Sequence, residues 1–375
     1  MVINRSRAIR ALLSLGTAVT LVVVGSSVSQ AASATPKPGS VCKTVQSIVK
    51  AKGKVLTCTL KNKKDKKFIW VASNPIKIAA VFSGSTTDAD YTYLGLQALR
   101  SAEKRFGATT TYSENVAVPD TERVMHEYLA EGYSVIWTHG SQYYAATVKL
   151  AAENPKDTFI AEQDTKPTDA PANVWVLDRN FHLAFYPLGI LAANASKSGK
   201  IGYIGGATLP FSYSEVHAVE QALADSGSTA KITPVWVGDF NDPVKAQQIT
   251  SQLISQGNDF ILGSLNLGMI GAFGAARAAP AGSVLITAKY TDKTTFAPKA
   301  YVTSVIYDFA TPLNTILVKT KAGSKGGYVG MDFKEGIKFQ APKNVSAAIA
   351  KKATDAVAKI IAGQITVVRN VEKIG

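Results

Sequence analysis

From Lys77 onward, short runs of apolar residues alternate with longer segments in which apolar residues recur every three or four positions. The short runs are typical of buried strands, and the longer segments are typical of helices with one apolar face. The clearest unit has a strand at Val235–Val237, a helix capped by Asp242 and a second strand at Asp259–Leu262. A strand–helix–strand unit of this length requires the two strands to run parallel.

The same pattern predicts most of the remaining elements. Further strands are expected at Lys77–Phe82, Thr109–Ser113, Ser134–Thr138, Thr158–Ala161, Val174–Leu177, Ile201–Ile204, Val284–Thr287 and Val302–Ile306. Further helices are expected at Tyr93–Phe106, between an Asp120 cap and Gly132, and at Ala145–Ala152, His182–Ala195, Ser214–Ser226, Asp308–Lys319 and Val345–Ile361. Two successive series of this kind predict an α/β fold with two doubly wound, Rossmann-like lobes. Lobe 1 is expected over residues 77–180, completed by about 307–375, and lobe 2 over residues 181–306.

The strand ends suggest what such lobes bind. In open parallel sheets, ligands bind beyond the carboxyl ends of the strands. In the unit described first, those ends are followed by Phe240 and Asn266. An aromatic ring offers a flat apolar face, and an amide both donates and accepts hydrogen bonds. This pair predicts recognition of a flat polar molecule and not a catalytic reaction.

The first 34 residues have the features of a secretory signal peptide. Three arginines precede the apolar run Ala11–Gly25, and Ala32-Ser33-Ala34 is a small-x-small cleavage site. An uncleaved anchor helix is the alternative, but the run is short for a span of about 20 residues. No cysteine follows the run in a lipobox-like context. We therefore predict an exported protein without a lipid anchor, in an extracellular, cell-surface or periplasmic location.

Residues 35–76 are expected to form a linker and a small β-hairpin module. The module holds Cys42 and Cys58, the only two cysteines of the chain. Export favours a disulfide between them, which would contribute roughly 3 kcal/mol in the chain-entropy model. Two free buried thiols are the alternative. The lysine-rich turn of the module is either a contact to the cell wall or another anionic surface, or simply a solvated turn.

Charge and motifs exclude several classes of function. The chain carries a net charge of +14, but residues 1–77 account for +13 of it and the rest is nearly neutral. Nucleic-acid binding requires a basic stripe on the folded body, so we exclude it. The four histidines are isolated and show no metal-binding spacing. No GxSxG, P-loop or helix-opening GxGxxG motif is present, so no catalytic residues, cofactor or metal are predicted.

Three segments carry a resemblance to a known family. They are Thr110–Asn115 followed by Asp120–Arg123, the run VWVGDFNDP, and FAPKAYVTS at Phe296–Ser304. From about residue 77 to about 370 the chain resembles the basic-membrane-protein (BMP) family. These are type I solute-binding proteins of ABC importers, several of which bind nucleosides or purine bases.

The resemblance implies a fold and a set of binding residues. The fold is that of type I periplasmic binding proteins, with two lobes joined by three crossovers, here near Asp178–Phe181, near Lys289–Asp292 or the following loop, and near Tyr307–Phe309. The ligand residues transferred from the family are Asp88, Tyr91, Gly140, Ser141, Tyr143, Phe181, Phe240, Asn266 and Tyr290. Asp88 could instead cap the helix that follows it. Tyr91 and Phe240 could instead be packing residues of the core.

This sequence departs from the family at positions that bear on the ligand. Tyr290 stands where the family often has an aspartate that binds a ribose, and Asn266 stands at an acidic position. Leu183 replaces a glutamate found in one branch. Because charged acceptors make the stronger hydrogen bonds, a site with fewer carboxylates holds sugar hydroxyls less tightly. We therefore expect a base-like ligand at least as readily as a nucleoside.

These observations lead to one main hypothesis and one alternative. The main hypothesis is an extracytoplasmic solute-binding protein that closes on a small planar ligand, a purine base or nucleoside, and presents it to an ABC permease. The alternative is a ligand-sensing receptor of the same fold that is not coupled to transport.

Overall fold

The computed structural model describes residues 35–43, 47–52, 54–60, 67–73 and 75–374. The predicted signal peptide and most of the lysine-rich turn lie outside these ranges. Within them, no helix is both long enough and apolar enough to cross a membrane.

The secondary structure follows the alternation read from the sequence. The strands β1 to β15 are, in chain order, Ile48–Ala51, Lys54–Leu60, Phe68–Ser73, Lys77–Phe82, Thr109–Ser113, Val135–His139, Thr158–Gln163, Val174–Asp178, Lys200–Gly205, Lys231–Trp236, Phe260–Ser264, Leu285–Tyr290, Tyr301–Tyr307, Gly327–Gly330 and Ile337–Phe339. The helices α1 to α9 are Tyr91–Phe106, Thr121–Ala130, Tyr144–Glu153, Phe181–Ala195, Pro210–Asp225, Pro243–Ser255, Met269–Ala278, Ala310–Lys321 and Ala347–Ile361.

The N-terminal module is a three-stranded antiparallel sheet with β2 in the centre. The expected hairpin corresponds to β2 and β3, and β1 is an additional strand that the pattern did not predict. Cys42 and Cys58 form a disulfide, and both residues are buried.

Two six-stranded sheets form the rest of the described chain. The sheet of the first lobe has the order β14-β8-β7-β6-β4-β5, and all of its strands are parallel. The sheet of the second lobe has the order β10-β9-β11-β12-β13-β15, in which only the β13–β15 pair is antiparallel. Helices connect the strands, so the predicted fold of two doubly wound lobes is confirmed.

The chain passes between the lobes three times. The first two passages lie after β8 and after β13, close to the expected crossovers at Asp178–Phe181 and Tyr307–Phe309. The third lies between β14 and β15, which belong to different sheets. The crossover expected at Lys289–Asp292 is wrong, because β12 and β13 on either side of it are neighbours in one sheet.

The third passage also changes the assignment of the C-terminal part. Helix α8 and strand β14 complete the first lobe, since Asn314 of α8 donates a hydrogen bond to Ser101 of α1 and β14 pairs with β8. Strand β15 pairs with β13, and α9 packs against α4, so both belong with the second lobe. The expectation that all of residues 307–375 complete the first lobe is therefore corrected to the part from α8 to β14.

The segment after α9 runs from the second lobe to the first crossover. Arg369 places Nη1 at 2.7 Å from Oδ2 of Asp178, and its Nη2 donates to Oδ1 of Asn180. The backbone N–H of Val368 donates to the side chain of Gln221 on α5. Thus a charged contact from the C-terminal segment holds the point where the chain first leaves the first lobe.

Helices α6 and α7 approach each other through a glycine. A Cβ atom on Gly271 of α7 would lie 1.8 Å from the carbonyl oxygen of Pro243 on α6. On Gly274, one turn later, the nearest atoms belong to the flexible side chain of Gln247, at 3.5 Å.

We expect Gly271→Ala to lower the free energy of unfolding by about 1–3 kcal/mol or more, because backbone would have to move to relieve the overlap. Gly274→Ala is the matched control on the same helix. It should leave stability unchanged or raise it by up to about 1 kcal/mol through its higher helix propensity. Urea unfolding of both variants measures the difference, and equal effects would contradict the close approach.

Candidate ligand-binding cavity

A cavity lies between the carboxyl ends of the two sheets. Its empty volume, with the open mouth included, is about 290 Å³, and the centre of a water molecule can reach about 30 Å³ of it. Its walls are Ser83, Tyr91, Gln142, Arg179, Leu209, Phe211, Phe240, Asn266 and Tyr290. Every one of these residues ends or follows a parallel strand, as the topology requires. A two-ring ligand would require the lobes to part before they close around it.

Aromatic rings from both lobes line the cavity, and each stacks on a neighbouring ring. In the first lobe the ring of Tyr91 stacks on His139, with centroids 3.9 Å apart and planes 11° apart. In the second lobe Phe240 stacks on Phe211 at 5.9 Å and 25°. A Cβ on Gly206 would lie 2.2 Å from the Phe240 ring, so the glycine is what allows the ring to lie against the backbone.

The hydroxyl of Tyr91 is held by a buried network. It donates to Oε2 of Glu162 and accepts from Nη1 of Arg179, 3.1 Å away. His139 bridges the same groups, with Nδ1 at 2.5 Å from Oε1 of Glu162 and Nε2 donating to the Tyr91 carbonyl oxygen at 2.8 Å. Burial opposes ionisation of Glu162, but His139 and Arg179 outweigh it and hold the pKa of this carboxyl below its ordinary value. The network therefore fixes the position of the Tyr91 ring.

Arg179 brings a charge to the cavity wall. Its side chain is buried, and Nη2 donates to Oδ1 of Asp164 at 2.6 Å. Its guanidinium carbon lies 4.6 Å from the ring centroid of Phe181 and 5.1 Å from that of Phe211. Burial raises the pKa of Asp164, and the charge of Arg179 counteracts that rise.

A second buried ion pair lies beneath the cavity in the second lobe. Nζ of Lys289 is 2.8 Å from Oε1 of Glu215, and the Tyr203 hydroxyl donates to Oε2 of the same carboxylate at 2.7 Å. The ammonium also lies 4.0 Å from the ring centroid of Phe181. Burial lowers the pKa of Lys289, and the adjacent Glu215 opposes that change. This group supports the aromatic wall without lining the cavity.

Polar contacts join the lobes beside the cavity. Asp90, which precedes α1 in the first lobe, pairs with Lys293 of the second lobe, and both side chains are buried. Oγ1 of Thr291 donates to Oδ1 of Asp90 at 2.9 Å. Burial raises the pKa of Asp90 to about 7, although Lys293 and Thr291 act to lower it. These contacts form only when the loop before α1 and the loop after β12 meet.

Tyr290 adopts an unusual backbone conformation next to this junction. Its φ angle is +79°, in the region that L residues rarely occupy and that costs about 1–3 kcal/mol. Its ring lies 5.4 Å from that of Tyr91 across the interface between the lobes. Such conformations cluster at ligand sites, which is consistent with its place in the cavity wall.

Four of the nine residues nominated from the sequence line the cavity: Tyr91, Phe240, Asn266 and Tyr290. Gly140 and Ser141 lie in the loop that brings Gln142 to it. A Cβ atom on Gly140 would lie 2.6 Å from Oε1 of Gln142, so the glycine leaves room for that amide. Phe181 is buried behind the wall, in contact with Phe211 and Tyr290.

Two nominated residues do not line this cavity. Asp88 caps α1, with Oδ2 accepting from the N–H of Thr92 at 2.9 Å and Oδ1 from that of Tyr93 at 3.0 Å, so its carboxylate is already occupied. Tyr143 packs in a hydrophobic core, where its hydroxyl donates to the carbonyl oxygen of Val116 at 2.5 Å. Neither side chain forms part of the cavity wall.

The sequence reasoning missed five wall residues: Ser83, Gln142, Arg179, Leu209 and Phe211. Gln142 lies between two nominated residues, and Arg179 directly follows β8. Leu209 and Phe211 follow β9, and Ser83 follows β4. All five therefore carry the same signal as the nominated wall residues, a position after the carboxyl end of a parallel strand.

A larger hollow, with an empty volume of about 810 Å³ on the same measure, lies at the other end of the second lobe. Its lining is mostly alanine, proline and glycine, with Arg277 and Lys299 as the charged groups. It contains no aromatic ring, so the cavity between the sheets is the better candidate for a planar ligand.

Comparison with known proteins agrees with this architecture. Residues 76–370 match the Bmp family, described as "ABC transporter substrate-binding protein PnrA-like". A purine-binding protein of Brucella abortus is 26% identical over 302 residues, covering 78% of this chain and 83% of that protein. Basic membrane protein A2 of Borrelia garinii subsp. bavariensis is 24% identical over 305 residues, covering 79% and 89%.

Solved structures share the fold at low sequence identity. A solute-binding protein of an ABC transporter system from Aeropyrum pernix K1 superposes with a TM-score of 0.68 at 19% identity, covering 79% of this chain and 94% of that one. A second, from Conexibacter woesei DSM 14684, gives a TM-score of 0.61 at 20% identity, covering 78% and 99%.

Proposed function

We propose that this chain, which belongs to the Bmp family of PnrA-like ABC transporter substrate-binding proteins, binds a purine base or nucleoside between its lobes. The observation that carries the proposal is a pair of stacked rings, Tyr91 from the first lobe and Phe240 from the second, that line one cavity. Stacking of a base on an aromatic side chain is worth about 1–3 kcal/mol. A relative named as purine-binding supports the same ligand class.

The polar lining favours a base over its nucleoside. Of the described residues that line the cavity, the polar ones carry hydroxyl, amide or guanidinium groups, and none carries a carboxylate. Amides and hydroxyls match the donors and acceptors on a base edge. Ribose hydroxyls would lack the charged acceptors that hold them most strongly. We expect a base to bind at least as tightly as the corresponding nucleoside.

Closure couples binding to delivery. The first lobe supplies the ring of Tyr91 and the second lobe supplies that of Phe240. The ligand therefore contacts both rings only in the closed arrangement, and it shifts the equilibrium towards that arrangement. A membrane permease that recognises the closed arrangement would then receive only loaded protein. We place the protein outside the cytoplasmic membrane, as expected from the predicted signal peptide and from the role of the family.

The first experiment is a thermal-shift screen of the mature protein with nucleobases, nucleosides, sugars and amino acids. A ligand at 100 times its Kd stabilises the folded state by about 2.7 kcal/mol, enough for a measurable rise in Tm. A rise confined to purines or their nucleosides supports the proposal. A rise only with a sugar or an amino acid would overturn the stacking site and leave the fold unaffected.

Two substitutions test the stacking walls directly. Phe240→Ala and Tyr91→Ala should each weaken purine binding by about 1–3 kcal/mol, measured by isothermal titration calorimetry. Phe240→Leu keeps most of the apolar volume but not the ring, and should recover little of the affinity. If the alanine variants bind normally while their Tm falls, the rings are packing residues and the site lies elsewhere.

A further inference from the structure

The cavity wall contains a buried cation whose hydrogen-bonding capacity is not exhausted. Arg179 is 2% exposed, and it is the single charged residue among the described residues that line the cavity. A guanidinium group carries five N–H donors and no acceptor. It can therefore satisfy a ligand acceptor, but it cannot satisfy a ligand donor.

The protein occupies only part of this donor set. Nη1 donates to the Tyr91 hydroxyl and Nη2 donates to Asp164, whereas Nε has no hydrogen-bond partner in the described part of the chain. A buried donor without a partner is unfavourable, so a ligand atom that accepts from it binds more tightly than one that does not. Burial opposes the charge of Arg179, but Asp164, Tyr91 and Glu162 raise its pKa well above the ordinary value.

The nearby carboxylates do not give the cavity wall an acceptor that would balance the donors of Arg179. Glu162 is bound by Tyr91 and His139, and Oδ1 of Asp164 is bound by Arg179 itself. Oδ2 of Asp164 has no hydrogen-bond partner among the described residues, but Asp164 does not line the cavity. The remaining polar wall residues, Gln142 and Asn266 among them, both donate and accept. Arg179 is thus the wall residue that can only donate hydrogen bonds, so it requires an acceptor atom on the ligand.

We propose that Arg179 makes this cavity select purines that carry a ring carbonyl, such as hypoxanthine or xanthine, over the aminopurine adenine. The inference rests on the proposed function, since it assigns the substrate class within the same site. A carbonyl oxygen accepts from the guanidinium. The amino group of adenine at the same ring position would place its N–H donors next to the N–H donors of the guanidinium, with no acceptor between them.

The test compares three bases in the wild-type protein by isothermal titration calorimetry. Hypoxanthine has a carbonyl group where adenine has an amino group, and its adjacent ring nitrogen carries a proton that the same nitrogen of adenine lacks. Unsubstituted purine has neither substituent. We expect hypoxanthine to bind at least tenfold more tightly than adenine, with purine between them. Adenine that binds as tightly as hypoxanthine, through a ring nitrogen turned to Arg179, would overturn the inference.

A variant then assigns the preference to Arg179. Arg179→Gln alone leaves Asp164 buried without its ion-pair partner, so the test variant combines it with Asp164→Asn. The ratio of the hypoxanthine and adenine affinities should fall to about one third of its wild-type value or less, whatever happens to the affinities themselves. A ratio that persists would show that another residue discriminates.

The two proposals fail in different ways. If no purine binds the wild-type protein, the proposed function is wrong. If purines bind without a preference for the carbonyl, the proposed function stands and only the role of Arg179 is wrong.

Discussion

Replacing Lys289 with methionine is expected to lower the free energy of unfolding by about 3–5 kcal/mol, because it leaves an uncompensated buried charge. Lys289 and Glu215 are both fully buried, and the ammonium is 2.8 Å from the carboxylate. After the substitution, the carboxylate would keep only the hydroxyl of Tyr203 as a described partner. Methionine has a similar length and preserves most of the packing against Phe181, so charge is the main change.

The matched control removes both charges. Lys289→Met combined with Glu215→Gln retains an acceptor for the Tyr203 hydroxyl and leaves no unpaired ion, so it should recover most of the lost stability. Urea unfolding of the wild type and both variants gives the comparison. If the double variant is as unstable as the single one, loss of packing and not loss of charge balance explains the effect.

Ligand affinity is expected to decrease as the pH rises from about 4 to 7, by up to tenfold per pH unit, and then to level off. In the closed arrangement burial raises the pKa of Asp90 to about 7, against its ordinary value of 3.8. When the lobes part, Asp90 separates from Lys293 and Thr291 and becomes hydrated, so its pKa returns towards the ordinary value. Closing therefore takes up a proton between these two pH values, and a rising pH opposes it.

Calorimetric titration with a base that stays uncharged between pH 4 and 8 measures this dependence. Asp90→Asn has no proton to take up and should bind with little dependence on pH across the same range. Asp292→Asn is the control, since Asp292 lies in the same loop as Lys293 but is exposed. A wild-type slope that survives in Asp90→Asn would assign the proton to another group, such as the buried Asp164, whose pKa burial also raises.

Local signals predicted most elements of the fold. Strands β4 and β5 have the bounds read from the sequence, and Asp242 caps α6 by accepting from the N–H of Lys245 at 2.9 Å. Asp120 occupies the N-cap of α2, but its carboxylate binds Arg123 and makes no cap hydrogen bond. The type and position of Asp120 were therefore enough to predict where the helix begins. The hydrogen-bond partner of its carboxylate depended on Arg123, one turn away.

Elements that depend on distant partners were not predictable. Helix α7 is rich in glycine and alanine, so its sequence has no clear apolar face that would identify it as a helix. Its close packing against α6 is visible only in the structure. Strands β14 and β15 have only four and three residues, too few to show alternation. Their pairing with different sheets decides where the third crossover lies.

The site was predictable to the extent that strand ends define it. That rule and the family resemblance located both stacking rings, but neither determines which way a side chain points. In the turn after β6, Gln142 faces the cavity and the adjacent Tyr143 faces the core. Arg179 directly follows β8 and so has the strand-end signal, but its ion pair with Asp164 cannot be read from the sequence.

The place of β14 has a consequence for biosynthesis. Tyr328 of β14 binds Asp178, the last residue of β8, across 150 residues of sequence. While a ribosome makes the second lobe, the first sheet has an unpaired edge at β8, and unpaired edges are where nascent chains aggregate. Completion of that edge must wait until the chain has returned from the second lobe. Export before that point would deliver a chain that is still easy to keep unfolded.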